Sequence, residues 1–271
     1  ACYRAASMTN STEINAAAEA LKKGGLVAFP TETVYGLGVD ATSDTAVAKL
    51  FAAKGRPSFN PLISHVHVAE AAFALGIFSA EAKKLVAAFW PGPLTVVVPR
   101  AARCPVSLLA SAGLSSIALR VPNHPLALDL LRAVERPVVA PSANLSGRVS
   151  PTTAAHVKSG LGKKVAVILD GGPCSVGVES AVVSFMQERA TLLRPGGLSR
   201  DDIERVLGHE LEIEADSARP HAPGQMESHY APRKKVRLNA TSVRPDELLL
   251  AFGTPLPGAA AVLNLSEQGD V

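Results

Sequence analysis

Two cations in one loop are the first residues here that could do chemistry. Lys54 and Arg56 stand two apart in KGRPSFNP (residues 54–61), a loop stiffened by Pro57 and Pro61, and at that spacing both can donate to one polyphosphate. Exposed basic residues are also ordinary on a solvated loop, so spacing alone leaves both readings open. Arg120 poses a sharper question, because it lies inside SIALRV (residues 116–121). A charge within an apolar, strand-like run requires a counter-charge or an anion. Ser142, Asn144 and Ser146 gather small donors and acceptors in PSANLSG (residues 141–147), as an ordinary Asn/Ser/Gly turn also would. His65 and His67 fall on one face of a strand over residues 62–68, with Val66 and Val68 on the other. Two histidines so placed can share a metal, but no third ligand lies near in sequence; His65 reads as a pocket wall and His67 as incidental.

These groups need a frame, and periodicity supplies one. Ile14, Ala17, Ala18 and Leu21 give a helix over residues 12–23 that stops at Gly24-Gly25, while residues 1–10 lack periodicity and are left outside the fold. A buried strand over 26–29 ends at Pro30. Residues 31–38 follow as a polar turn, in which Gly36 and Gly38 would let backbone approach a ligand. Asp44 caps a helix carrying Ala46, Val47, Leu50 and Phe51, which runs out near Lys54 and Gly55. Further helices are expected over 69–75, over 79–90 with Ser79 as cap, over 124–134, after Thr152 or Thr153 towards Gly160, and over 199–207 with Ser199 as cap. Strands are expected over 94–98, 116–121, 138–140 and 165–169, with a pair over 180–184 and 190–194. Strands alternating with helices, plus one hairpin, predict a single α/β domain with a mixed sheet over residues 12–212. Residues 215–232 read as a Pro/Gly-containing linker, and the apolar runs beyond residue 236 are too short to bury a core alone.

Composition narrows the classes. The chain has 271 residues, and its 27 basic and 24 acidic residues leave a net charge of +3, too small an excess to argue for nucleic acid by bulk electrostatics. Three cysteines, Cys2, Cys104 and Cys174, are odd in number and lack CxxC spacing, which suits a reducing, cytoplasmic setting without a zinc site. No apolar run reaches the length of a membrane span, so no membrane partner is expected.

Five segments together carry a resemblance: PTETVYGLG at residues 30–38, KGRPSFNPL at 54–62, WPGPLT at 90–95, LRVPNHP at 119–125 and APSANLSG at 140–147. In this order, with the Lys-x-Arg and Ser-x-Asn pairs intact, they resemble the YrdC-type threonylcarbamoyl-AMP synthases. The linker resembles that of the two-domain branch, since Pro223-Gly224 and His229-Tyr230-Ala231-Pro232 stand at the right separation. Between them Gln225, Met226, Glu227 and Ser228 replace the basic and aromatic residues usual there.

The resemblance implies a YrdC-like twisted mixed sheet flanked by helices over 12–212, a linker or lid over 213–235, and a partial Rossmann-like segment over 236–271. It implies that L-threonine, bicarbonate or CO2, and ATP are joined into threonylcarbamoyl-adenylate with release of pyrophosphate, Mg2+ riding on the phosphates. The product would pass to a tRNA threonylcarbamoyl-transferase complex. By position in the family motifs, Lys54 and Arg56 are the catalytic cations. Thr33, His65, Arg120, Ala140 (through its backbone) and Ser180 form the threonine pocket. Asn60, Ser116, Ser142, Asn144, Ser150, Arg194 and Tyr230 join Lys54 and Arg56 around ATP. Two other readings stand beside it. One is a module of the same fold that binds tRNA or rRNA, for which few aromatics are available to stack on bases. The other is an enzyme acting on carbamoyl phosphate as in hydrogenase maturation, whose usual acylphosphatase-like and zinc-finger portions are not seen here.

Overall fold

The computed structural model describes residues 2–213 and 234–270. In chain order its elements are α1 (Cys2–Lys22), β1 (Val27–Phe29), β2 (Gly36–Asp40), α2 (Asp44–Lys54), β3 (Ile63–His65), α3 (Ala69–Phe73), α4 (Ala80–Phe89), β4 (Leu94–Pro99), β5 (Ser116–Arg120) and α5 (Pro125–Val134). Then come β6 (Val138–Val139), α6 (Ala154–Leu161), a short 3-10 turn (Gly162–Lys164), β7 (Val167–Ile168), β8 (Ala181–Ser184), β9 (Thr191–Arg194), α7 (Arg200–Leu207), β10 (Glu212–Ile213), β11 (Leu248–Ala251) and β12 (Ala261–Asn264).

Strands β1 to β10 form one mixed sheet in the order β10-β9-β8-β4-β5-β3-β6-β2-β1-β7. Its registers assign every side chain to a face, because successive residues of a strand point to opposite sides. Pairings Val27↔Gly38, Asp40↔Val138, His65↔Val138, His65↔Arg120, Val97↔Ala118, Thr95↔Val182 and Val182↔Arg194 run along one face. Val39↔Val139, Ser64↔Leu119, Val96↔Leu119 and Val96↔Val183 run along the other.

That second face is the main core. Leu37, Val39, Val96, Val98, Leu119 and Val183 are buried there against Val47 and Leu50 of α2, Leu85 and Val86 of α4, Val157 of α6 and Ile203 of α7. On the first face, α1 and α5 pack Ala17, Leu21, Leu130 and Leu131 onto Val27, Phe29 and Val138, covering the β1 and β6 portion. The β3, β5, β4, β8 and β9 portion of the same face carries a small apolar group, Ile63, Val97, Ala118 and Val182, among polar residues. The helices therefore leave one half of one face for chemistry.

Local detail departs from the sequence reading in four places. Helix α1 begins at Cys2, so residues before Thr12 are helical; no Gly or Pro interrupts them. The cap of α2 is Ser43, extended at φ −104° and accepting from Ala46 N, with Asp44 the first helical residue. The short serine oxygen reaches the free amide, and Asp44 instead accepts from Ser107 Oγ. Strand β3 ends at His65, so His67 does not extend its face. Finally, Gly36 and Gly38 belong to β2. A Cβ at Gly38 would come within 2.8 Å of the Phe29 ring and 2.9 Å of Val138, so this glycine makes room for core packing.

Two compact units divide the chain at 1–231 and 232–271. Within the second, β11 and β12 pair in parallel, and Arg237 holds Glu247 in an ion pair at 2.5 Å. Among the described residues no helix is long and apolar enough to cross a membrane.

Gly38→Ala tests the packing reading. It should lower stability by about 1–3 kcal/mol, seen as a lower midpoint in urea with an unchanged slope.

Candidate active site

The open half of the sheet face forms a cleft whose enclosed part measures about 30 Å3, the remainder opening to solvent. Arg56, His65, Arg120, Ser142, Glu179 and Arg194 line it, with Ala140 and Gly36 at its wall. Strand register brings His65 and Arg120 side by side, and the β8–β9 hairpin delivers Arg194 opposite Val182. A second cavity of about 220 Å3 lies on the same face, where Ser116 and Val97 meet Ser184 and Met186.

Arg120 answers its own burial. Its Nη2 lies 2.8 Å from Glu32 Oε1, with both side chains nearly inaccessible, and the same nitrogen donates to Thr33 Oγ1 at 2.9 Å. Its Nε donates to the Gly92 carbonyl at 3.3 Å. Glu32 Oε2 accepts from Asn123 N at 3.0 Å, and the Glu32 carbonyl accepts from Val176 N at 2.8 Å. The carboxylate so fixed gives Arg120 one orientation at the wall of the cleft. Thr33 is fully buried and sits behind that guanidinium, its hydroxyl 2.8 Å from that of Thr31.

Arg194 is built in similarly. Nε and Nη2 donate to the Ser180 carbonyl at 3.1 and 2.9 Å, and Nη2 reaches Ser180 Oγ at 3.0 Å. Ser180 Oγ is 2.8 Å from Thr95 Oγ1. Glu179 Oε2 stands 3.8 Å from Arg194, and its Oε1 accepts from Ser150 Oγ at 2.8 Å. Thus Ser150, Ser180 and Arg194 form one connected group around a carboxylate.

The two loop cations diverge. Arg56 donates to the carbonyls of Asn60 at 3.4 Å and Pro61 at 3.0 Å and faces the cleft. Lys54 is 2 % exposed; its ammonium donates to the Ser142 carbonyl and, at 2.5 Å, to that of Asn144. Burial first, and then the charge of Arg56, push Lys54 down to about 7, with Glu179 opposing. Asn60 is fully buried and its side-chain amide makes no hydrogen bond. Asn144 spends its amide donors on the carbonyls of Leu145 and Arg148, both at 2.8 Å. Tyr230 lies outside the described residues.

His65 is buried edge-to-face against Phe29, ring centroids 6.3 Å apart. Burial, then the Arg120 charge, lowers it to about 3, so the ring at the cleft wall is neutral at ordinary pH. Among the described residues no group of three or more His, Cys, Asp or Glu could hold a metal ion. The residues that sequence reasoning passed over are Glu32, Glu179 and Thr95. Glu32 was within reach, since it lies in the same motif as Thr33 and a buried arginine demands a carboxylate; Thr95 reaches the site through the pairing of β4 with β8, and Glu179 through contacts with the distant Ser150 and Arg194.

The Sua5/YciO/YrdC family model, described as telomere recombination, matches residues 19–196. A second model, the C-terminal domain of threonylcarbamoyl-AMP synthase, matches residues 198–268. A threonylcarbamoyl-AMP synthase of Bacillus subtilis is 45% identical over 231 residues, covering 83% of this chain and 66% of its own length. One from Pyrococcus abyssi is 45% identical over 232 residues, covering 83% and 67%. A crystal structure of P. abyssi Sua5 complexed with L-threonine superposes with a TM-score of 0.84 at 38% identity, over 95% of this chain and 80% of that one. The chain belongs to the Sua5/YciO/YrdC family, with the two-domain architecture of its Sua5 members. It spans about two thirds of the length of the curated relatives named here.

Glu32→Ala should destabilise the protein by about 3–5 kcal/mol, because it strands the Arg120 charge in the interior. Denaturant unfolding checks this, and Glu32→Ala with Arg120→Met together should recover part of the loss.

Proposed function

We propose that this chain is a threonylcarbamoyl-AMP synthase, joining L-threonine, bicarbonate or CO2, and ATP into threonylcarbamoyl-adenylate with release of pyrophosphate. The observation that carries the reading is one cleft lined by three arginines, Arg56, Arg120 and Arg194, each from a different segment, with Arg120 paired beside His65 and Ser142 in the same wall. A reaction joining a carboxylate-bearing amino acid to a nucleotide needs two anions held together, and the relative solved with L-threonine supports amino-acid binding in this fold.

In this mechanism Arg120, preset by Glu32 and Thr33, takes the threonine carboxylate. The neutral amine adds to CO2, the new C–N bond forming as one C–O π pair moves to oxygen, and the nitrogen's proton passes to solvent to give a carbamate. A carbamate oxygen attacks the α-phosphorus, a new P–O bond forms, and the bond to the β-phosphate oxygen breaks as pyrophosphate leaves. Arg56 and Arg194 stabilise charge on the phosphates, Ser142 and Ser150 orient oxygens, and Ser116 offers a hydroxyl at the second cavity, towards which the nucleoside can extend. Neutral His65 shapes the pocket without adding charge. Mg2+ would enter as a companion of the phosphates, held chiefly by substrate oxygens and water, since Glu179, the carboxylate on the cleft, is engaged by Ser150 and Arg194. The ion would neutralise phosphate charge. The product would serve modification of the adenosine beside the tRNA anticodon, with a separate transferase complex completing the step in the cytoplasm. The RNA-binding alternative is less well supported, because Arg120 and Arg194 are engaged inside the cleft.

Pyrophosphate release with Mg2+ and ATP should require both threonine and bicarbonate, with serine a poor substitute. Release independent of threonine would reject the reading. Thr33→Ala should raise the KM for threonine about tenfold or more while that for ATP stays within twofold; equal effects would reject the assignment of Thr33 to the threonine end.

A further inference from the structure

Lys54 and Arg56 stand two apart in the motif but have opposite surroundings. Helix α2 ends at Lys54, and Gly55 follows in the left-handed region at φ +60°, so the chain turns sharply between the two cations. Arg56 comes out on the cleft. Lys54 stays inside, buried and absent from the cleft wall.

One loop holds its ammonium. The ammonium bridges the carbonyls of Ser142 and Asn144, and the Lys54 carbonyl accepts from Ser146 N at 2.9 Å. On its other side the same loop is tied to the β2 region, Ala143 N donating to Tyr35 O at 2.8 Å and Leu37 N to Pro141 O at 2.7 Å. Carbonyls at alternate residues of a short loop repel unless a cation or donor lies between them, and an ammonium with three protons is suited to that place. The carboxyl end of α2 favours positive charge there as well. Arg56 and Glu179 are the charged groups that act on Lys54.

We propose that Lys54 is a positioning residue, the internal cation on which the 141–147 loop is folded, and that it serves the nucleotide through Ser142 without touching phosphate. Ser142 lines the cleft, so the loop's shape decides where that hydroxyl stands. Arg56 is then the member of the pair that meets the phosphates. This inference rests on the nucleotide reading of the cleft.

The test compares Lys54→Met and Arg56→Met in the full chain, by calorimetric titration with ATP, AMP and L-threonine. Lys54→Met should weaken ATP and AMP by the same factor, about tenfold or more, and leave threonine within twofold. Arg56→Met should weaken ATP at least fivefold more than AMP. Selective loss of ATP in Lys54→Met would show a phosphate contact and overturn the proposal, as would equal loss of all three ligands or loss of none. Hydrogen exchange without ligand separates this from the functional reading: the Ala143 and Ser146 amides should exchange at least tenfold faster in Lys54→Met, with sheet amides unchanged. Unaltered exchange overturns the proposal even if nucleotide binds. Failure of the wild type to bind nucleotide counts against the nucleotide reading alone. Should Lys54→Met not fold, the ammonium resonance of 15N-lysine-labelled wild type replaces it; a shift on ATP that AMP does not produce would contradict the proposal.

Discussion

The alternation of a ten-stranded sheet is the constraint from which the rest follows. Each strand must put its residues on two faces, and here one face is almost wholly apolar, while the other is packed by α1 and α5 over its β1 and β6 part and mixes a small apolar group with polar residues over the rest. The uncovered half therefore has the one surface where polar side chains can stand on rigid strands. His65, Arg120, Thr95 and Arg194 occupy it because of register, and a one-residue slip in β5 or β9 would turn an arginine into the hydrophobic core. Stability and site geometry thus rest on the same pairings.

Charge placement imposes the second condition. A buried guanidinium costs several kcal/mol unless it is paired and hydrogen-bonded, and the protein meets that cost within the site. Glu32 stands against Arg120, Glu179 near Arg194, and backbone carbonyls against Lys54 and Arg56. The pairing leaves rigid donors whose orientation is fixed before any ligand arrives, which is the form of electrostatic stabilisation that works best for developing charge. It also explains the mixture of signs around a cleft proposed to bind anions: the carboxylates hold the arginines in place.

Much of this was legible in the chain itself. The alternation of apolar runs with 3.6-residue periods gave the α/β class and most elements, because those patterns report burial directly. Arg120 announced itself as a charge inside an apolar strand. Less legible were contacts between distant segments: Thr95 reaches Ser180 because β4 pairs with β8, and Glu179 meets Ser150 and Arg194 from separate loops and strands, which no local pattern encodes. Of the two glycines expected to let backbone approach a ligand, Gly36 stands in the cleft wall, whereas Gly38 makes space for the Phe29 ring, and only the position of Phe29 tells the two apart. Lys54 shows the same limit. Two cations on either side of one residue look equivalent until that residue, a left-handed glycine, sends them apart.

The central claim is that one cleft holds two anion sites, an amino-acid end at Arg120 on β5 and a nucleotide end at Arg56 on the loop after α2. Titration calorimetry with L-threonine and a non-hydrolysable ATP analogue, on wild type, Arg120→Lys and Arg56→Lys, addresses it most directly. The account predicts a crossed pattern: Arg120→Lys loses threonine affinity by about tenfold or more with the analogue within twofold, and Arg56→Lys does the reverse. Equal losses of both ligands in both variants would contradict it.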